Sequence, residues 1–509
     1  MDQNDLHRAG RRPTMPTFDD AIGMPPADPE PVIAPLNASD VGNAERLVRR
    51  HGARLRWQAT AGRWLRWDGV AWRDDEAAVR RCAQLLSSDI LTEAAGLEDD
   101  DEEGAKALRK WASASEQSNR ITATLKEATA IPGVSVVEEE LDAHPYLLTL
   151  EHAPGVGLEV DLGCHPRRHA VLGRARPADR KHLASRALAV RWDPEAQCPA
   201  WESFLRWAMR GDEEMVSWLQ RAVGYSLTGD VSEHVFFFCY GASGRNGKST
   251  FLDVLAALSG PFGMTMPGTL LWKARDAAHP ADLASLKGCR VATGNETGPT
   301  ARFDEEKLKL ITGGDLIPAR RMGENWMRFR PTHKIWLAGQ DRPLATGGDE
   351  GLWRRMRLIP FDATVPAGEE DRGLKGRLLG ELPGILQWAI RGVEAWHAQG
   401  LAPPAVVRDA VAEYREASDI VAQWLAECCE RDALGSSRMT DLYESYSRFR
   451  VTQGYGVSSS GALGRELAKK GFTKARPRGE AGEHRPTVVH GLVLRRDAGR
   501  SPSPGGWAH

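Results

Sequence analysis

Asn246-Gly247-Lys248-Ser249-Thr250 follows an unbroken apolar and aromatic run, Val235 to Tyr240, and precedes a helix-compatible Phe251-Leu252-Asp253-Val254-Leu255. A lysine and a hydroxyl so placed suit phosphate chemistry. A buried strand ends and glycines let backbone N–H groups converge on phosphate oxygens. Lys248 then reaches the β- and γ-phosphates, and Ser249 offers its hydroxyl to Mg²⁺ at a helix N-terminus. The loop expected to cradle ATP is Gly241, Ala242, Ser243, Gly244, Arg245, Asn246, Gly247, Lys248, Ser249 and Thr250, with Ala242 where a first glycine is usual.

Hydrolysis needs further groups. Gly288 to Glu296 reads as a short strand ending in a carboxylate. Glu296 is placed either to hold Mg²⁺ through water or to orient and deprotonate the attacking water, and the residues do not separate these roles. Lys334 to Gly339 reads as a further strand, ending in Gln340, a polar group suited to sensing the γ-phosphate or the water. Beyond it, Trp353-Arg354-Arg355-Met356-Arg357 supplies arginines of the kind that stabilise transition-state charge on a neighbouring subunit's phosphate.

Elements that must position these groups can be read around them. Pro199 onward and Met215 to Val223 are helical in pattern, with Gly224 expected to close the lead-in to the loop. Glu306 to Ile311 predicts a helix stopped by Gly313-Gly314. Ala319 to Phe329 predicts a hairpin with Gly323-Glu324-Asn325 at its tip and Arg320, Arg321 and Arg328 on its arms.

Upstream, residues 1–42 are rich in Pro, Asp and Gly and read as a disordered leader. A helix is expected from Asn43. Trp57, Trp64, Trp67 and Trp72 alternate around Asp68-Gly69, the signature of a hairpin in a small sheet. The acidic run Glu98 to Glu103 is expected as a solvated loop. Leu158 to Leu162 alternates as a strand, and 174–191 is open between loop and helix.

Taken together, Asn246 to Thr250, Asn295-Glu296-Thr297, Lys309 to Asp315, Ala319-Arg320, Gln340 with Pro343, and Trp353-Arg354-Arg355 with Ile359-Pro360-Phe361 resemble the superfamily 3 helicase core of phage and plasmid primase-helicases, related to the poxvirus nucleoside triphosphatase. Arg221 to Asp230 resembles that family's lead-in. The resemblance covers residues 43–494, weakening between 148 and 191.

It implies an α/β P-loop, AAA+-like ATPase core with an α+β N-terminal domain and a small winged-helix C-terminal domain. ATP and Mg²⁺ would sit between subunits of a homo-hexamer. Lys248 and Ser249 would be the nucleotide and metal ligands and Glu296 the Walker B acid. Gln340 would take the sensor 1 position, where Asn is usual. Arg354 or Arg355 would be the finger acting in trans. The Arg320–Arg328 hairpin would track one DNA strand in the ring channel. Many relatives carry an N-terminal primase domain; with only the leader before Asn43, the expectation is a chain that unwinds without making primers, with a separate primase or polymerase as partner.

The implied domains are 43–198, N-terminal; 199–233, helical lead-in; 234–365, ATPase core; 366–415, helical linker; 416–496, winged-helix-like; and 497–509, disordered tail. In the last module two helices precede two short strands, and nine Lys or Arg stand against three Glu between Arg465 and Arg496. Arg465, Lys469, Lys470, Lys474, Arg476 and Arg478 are its candidate duplex-DNA contacts.

The formal net charge of -2 conceals that local excess. Seven cysteines without C-x-x-C spacing argue for reduced thiols and against a zinc site. No apolar run reaches spanning length, and a cytoplasmic, soluble protein without membrane contact is expected. The reading is an ATP-dependent DNA helicase of phage, prophage or plasmid replication. The alternatives are an ATP-dependent replication initiator that binds origin DNA, and a P-loop ATPase with another motor role.

Overall fold

The structure is a computed structural model. It describes residues 36–495 except 98–100, 164–172, 242, 268–269, 274–279, 296–301, 324, 344, 346–348, 454, 457 and 477–485. No helix among the described residues is long and apolar enough to cross a membrane.

The N-terminal part opens on α1 (Asp40–His51), capped by Ser39, whose side chain accepts from the Gly42 N–H. β1 (Leu55–Gln58), β2 (Arg63–Trp67) and β3 (Trp72–Asp74) form an antiparallel meander, with Trp57 opposite Trp64 and Trp67 opposite Trp72. The Asp68 carboxylate accepts from the Val70 and Ala71 N–H groups, and Gly69 takes φ 97°, so Asp-Gly makes the turn the sequence predicts. The rings meet at 5.5 and 5.8 Å, and Trp64, Trp67 and Trp72 are buried; these tryptophans build the sheet and are not open to a base.

Helices α2 (Glu76–Gln84), α3 (Leu86–Gly96), α4 (Glu102–Ser115) and α5 (Ser118–Ala128) follow, then β4 (Ser135–Val136), parallel to β1. The acidic run is not all loop. Asp101 caps α4 and Glu102 and Glu103 fill its first turn, where carboxylates favour the helix dipole; 98–100 lie outside the described residues. β5 (Leu147–Ala153), β6 (Val156–Asp161) and β7 (Ala175–Pro177) make a second small sheet, so part of the open stretch 174–191 is strand.

The lead-in is α6 (Pro199–Ala208) and α7 (Glu213–Leu227). Gly224 does not end α7, which runs to Leu227. A Cβ on Gly224 would lie 2.5 Å from the Ala389 carbonyl oxygen, so this glycine serves a close helix crossing.

The central sheet holds β8 (Phe236–Tyr240), β9 (Gly263–Thr265), β10 (Val291–Asn295), β13 (Lys334–Gly339) and β14 (Met356–Pro360), all parallel, in the order β14-β8-β13-β10-β9. β8 is flanked on both sides and covered on both faces, which is why it reads as a continuous apolar run. Phe237 and Cys239 face one core with α8 (Lys248–Ser259); Phe236 and Phe238 face the other. Each buried Phe contributes roughly 1.5–3 kcal/mol. Between the strands lie α9 (Pro280–Ala284), α10 (Glu305–Thr312), the hairpin β11 (Ile317–Ala319) and β12 (Met327–Phe329), and α11 (Glu350–Trp353).

α12 (Leu374–Gly380) and α13 (Leu382–Gln399) belong to the first core, and Tyr414 of α14 (Ala405–Ala417) to the second, so the stretch expected as a linker is packed into the molecule. The C-terminal part runs α15 (Ile420–Cys428), β15 (Cys429–Arg438), α16 (Met439–Thr452), α17 (Ser460–Lys469), β16 (Thr473–Ala475) and β17 (Val488–Leu494). Its antiparallel order is β15-β17-β16. One strand more than the expected two is present, since β15 precedes the helix pair.

Candidate nucleotide and nucleic-acid site

The loop from Gly241 to Gly247 turns the chain from β8 into α8. A Cβ on Gly241 would lie 2.4 Å from Asn246 Nδ2 and 2.5 Å from the Phe361 carbonyl oxygen, so only glycine fits. Arg245 and Gly247 are left-handed, at φ 59° and 87°. For Arg245 that costs on the order of 1–2 kcal/mol. The surroundings hold it there: its carbonyl accepts from the Val365 N–H at 3.1 Å and its guanidinium meets Glu370 at 3.0 Å.

Asn246 donates to the Ser243 carbonyl at 2.6 Å, bracing the loop from within, and the Ser243 hydroxyl meets that of Thr364 at 2.9 Å. Lys248 is buried, and its Nζ donates across the loop to the Gly241 carbonyl at 2.7 Å. Ser243, Gly244 and Ser249 are exposed, and Thr250 is half-buried. Ala242 lies outside the described residues. The result is an open turn of backbone with a lysine folded into it and a hydroxyl at the helix start, a shape that suits an anion.

Strand register decides what else can reach this loop. Gly339 pairs with Tyr240, and Ala338 with Asn295. Gly241 and Gln340 therefore leave the sheet at one edge, the edge at which β10 ends with Asn295. Gln340 Nε2 lies 3.9 Å from where a Cβ on Gly244 would stand. Glu296 lies outside the described residues. β13 separates β10 from β8, so the carboxylate-bearing strand is two places from the loop strand.

Arg354 and Arg355 are not brought to this edge. Met356 pairs with Phe236, so both arginines lie at the far end of β14 from the loop. A strand of five residues at ~3.3 Å each puts them about 16 Å away along the sheet. Arg354 is exposed. Arg355 folds back to donate to the Gly351 carbonyl at 3.0 Å, and burial followed by its neighbour Arg354 lowers its proton affinity.

A hairpin forms, with Ile317 opposite Phe329, but its arms are shorter than expected: Arg328 is on β12, whereas Arg320 and Arg321 fall beyond the end of β11 in the connecting loop. Arg320 and Arg328 are exposed, whereas Arg321 is in an ion pair with Glu138 at 3.3 Å. Glu324, expected at the tip, is outside the described residues. The fold also exposes Met322 and Trp326 there, 82% and 63% accessible. Reading the arginines alone passes over them; a methionine beside the turn glycine and a tryptophan three residues after it, without an apolar partner at strand spacing, are the signal that could have found them.

In the C-terminal part the candidate cations divide. Lys470 is tied to Asp419 at 2.6 Å and Lys469 to Glu466 at 2.7 Å. Arg476 donates to the Thr487 hydroxyl at 3.3 Å, and Lys474 lies over Gly464 of α17. Arg465 is on the same helix, and Arg478 is outside the described residues. Lys470 is thus partly neutralised, and the basic face is smaller than the count of charges implies.

Comparison with known proteins finds relatives for part of this chain. Residues 44–153 match the family described as D5 N terminal like. A protein of Acanthamoeba polyphaga mimivirus named "Putative helicase" is 26% identical over 255 residues, 46% of this chain and 26% of that protein. One of the same name from Frog virus 3 is 23% identical over 256 residues, again 46% and 26%. The chain thus matches about a quarter of the length of these curated relatives. Among solved structures, the apo NrS-1 C terminal region aligns over 90% of this chain and all of that one, with TM-score 0.48 and 8% identity.

Proposed function

We propose that this chain, which carries a D5-N-terminal-like region and is related to those viral proteins, is an ATP-dependent DNA helicase of the primase-helicase type. The observation that carries the reading is the convergence of the Lys248 loop and Gln340 at one edge of a parallel sheet whose β10 ends just before Glu296. In it the loop N–H groups and Lys248 bind the β- and γ-phosphates, Lys248 exchanging the Gly241 carbonyl for phosphate oxygen. Ser249, exposed at the helix start, would hold Mg²⁺, which offsets phosphate charge when bound. That ion keeps several oxygens from water and substrate, so one protein hydroxyl suits it. Glu296 and Gln340 act on the water and the γ-phosphate.

Arg354, exposed and at the far end of the sheet from its own loop, serves the nucleotide of an adjoining copy in a ring. The hairpin contributes Arg320 and Arg328 to phosphate contact and Trp326 to base stacking. The C-terminal module, three helices with a three-stranded antiparallel sheet in winged-helix order, contacts duplex DNA through Arg465, Lys469 and Lys474.

ATP turnover with and without single-stranded DNA tests the reading, alongside the mass of the assembly with nucleotide. Stimulated turnover in a multimer is expected, and Lys248→Ala should lower it by about 100-fold or more. Arg328→Ala should keep most turnover and lose unwinding. A monomer hydrolysing nothing under either condition would remove the reading. If the chain is instead an origin-binding initiator, origin melting persists without sustained turnover.

A further inference from the structure

A cavity of about 730 Å³ opens between the D5-N-terminal-like region and the hairpin, away from the nucleotide loop. Its wall carries Arg63, Arg186, Lys287, Arg321, Arg328 and Arg330, drawn from widely separated segments. Part of that charge is already paired, Arg186 with Asp142 at 3.9 Å, Arg63 with Asp74 at 3.1 Å and Lys287 with Glu139 at 4.0 Å, and the wall's aspartates also hold the backbone. Asp142 accepts from the Ser185 N–H at 2.7 Å, and Asp230 from the Ser232 N–H at 2.7 Å and from the Tyr146 hydroxyl.

Glu138 differs. It enters from the N-terminal region, and its two oxygens are divided between two cations of the core, Lys287 Nζ at 3.0 Å and Arg321 Nη2 at 3.3 Å. Lys287 and Glu138 are 14% and 18% exposed at their side chains, so the pair is largely withdrawn from solvent screening. Lysine and arginine bind carboxylate and phosphate oxygens with the same N–H···O geometry.

We infer that this cavity is a binding site for the backbone of single-stranded DNA, and that Glu138 occupies the position of a phosphate until a strand displaces it. This rests on the helicase reading but extends the strand's path from the hairpin onto the N-terminal region. Arg328, on β12, and Arg330, just beyond the end of that strand, are both exposed and both line the cavity, where they continue the cationic wall. The volume suits a short piece of single strand and is too small for a duplex. A positive groove with an exposed aromatic nearby is how single strands are held without sequence preference, and the hairpin that lines this cavity exposes Trp326 two residues before Arg328.

The test uses the full chain without nucleotide, a fluorescein-labelled oligo(dT), and a duplex of equal length. Glu138→Gln keeps size and hydrogen bonding but removes the competing charge. It should tighten oligo(dT) binding about tenfold and steepen its salt dependence by roughly 0.7 in log–log slope for each additional phosphate engaged. Lys287→Gln should weaken and flatten it, and duplex affinity should move in neither.

Glu138→Gln that leaves oligo(dT) affinity and slope unchanged, or shifts both probes alike, overturns the inference. Should that variant fail to fold, Lys287→Gln and Arg330→Gln carry the test, unchanged oligo(dT) affinity in both being the overturning result. DNA-free ATP turnover separates the two readings. Wild-type turnover with unmoved DNA affinity sinks the cavity alone, whereas absent turnover with tightened binding sinks the motor alone.

Discussion

At the scale of single residues, burial of charge and of titrating groups ties the N-terminal part to the central sheet. Arg290 is buried and donates to the carbonyls of Leu227 at 2.8 Å and Leu147 at 2.7 Å, joining the end of α7 to β5. Burial lowers its pKa to about 10. Lys334 next to it donates to carbonyls of Thr228, Asp230 and Thr332, and burial, then Arg290, hold it well below the usual ammonium range. His333 has the consequence easiest to measure. Burial first, and Lys334 in addition, push its imidazole down to about 4 against a contact with the Ile311 backbone that raises it. Its folded value lies below the unfolded one, so between about 4 and ~6.5 the unfolded chain holds more protons and stability rises with pH. The stability is fully present above that window and is lost as pH falls through it. Urea midpoints at pH 7 and 5 for wild type and His333→Phe should show the variant losing about 2 kcal/mol less on acidification. The same residues mark how far sequence reading reaches. Lys248 was legible because lysine after a glycine turn has a definite chemistry. Lys334 and Arg290 look like ordinary strand-flanking cations, since nothing local announces that helix-end carbonyls from far along the chain will surround them.

At the scale of elements, glycine at a crossing carries information that a helix pattern does not. α7 and α13 approach so closely that a Cβ on Gly392 would stand 2.0 Å from the Gln220 carbonyl oxygen, and one on Gly224 would meet Val393 N at 2.5 Å. Gly224 invites reading as a helix stop because glycine does end helices; only the partner helix, over 160 residues on, shows it as a point of close approach. Gly392→Val should therefore destabilise the fold by about 3 kcal/mol or more, read as a lower thermal midpoint, where Gly376→Ala, with open space around its Cβ position, should not. β8 was legible for the opposite reason, since burial on both faces leaves an unbroken apolar run. β15 was not: its residues are mostly exposed, Leu434 included, its register shifts between Arg431 and Ser436, and backbone pairing to β17 holds it. That strand completes a module with its own core of Trp424, Leu442, Tyr446, Leu467 and Val489. Removing residues after Asp419 should weaken duplex binding and flatten its salt dependence by about 0.9 in log–log slope for each phosphate that the module neutralises. Filter binding across a salt series checks it, and unchanged affinity would leave the module without a DNA role.

At the scale of the whole molecule, the parallel register of β8 and β14 fixes a division that one chain cannot bridge. Lys248 belongs to the edge where strands end, and Arg354 to the edge where β14 begins. If Arg354 stabilises charge on the γ-phosphate, the nucleotide it serves must belong to another copy, and a repeated head-to-tail contact of that kind builds a ring where its rotation closes. The arrangement predicts what happens when two inactive variants are mixed. Lys248→Ala spoils the nucleotide side of an interface and Arg354→Ala the finger side. A random equal mixture then leaves about a quarter of the interfaces with both sides intact, because each needs the lysine from one variant and the arginine from the other. ATP turnover in the mixture should recover to about that fraction of wild type, where either variant alone shows almost none. The same mixture with Arg355→Ala in place of Arg354→Ala assigns the finger, since Arg355 is folded onto the Gly351 carbonyl and its loss alone should leave turnover nearly intact. Were Arg354 to act within its own chain, every subunit would carry one defect and mixing would restore nothing.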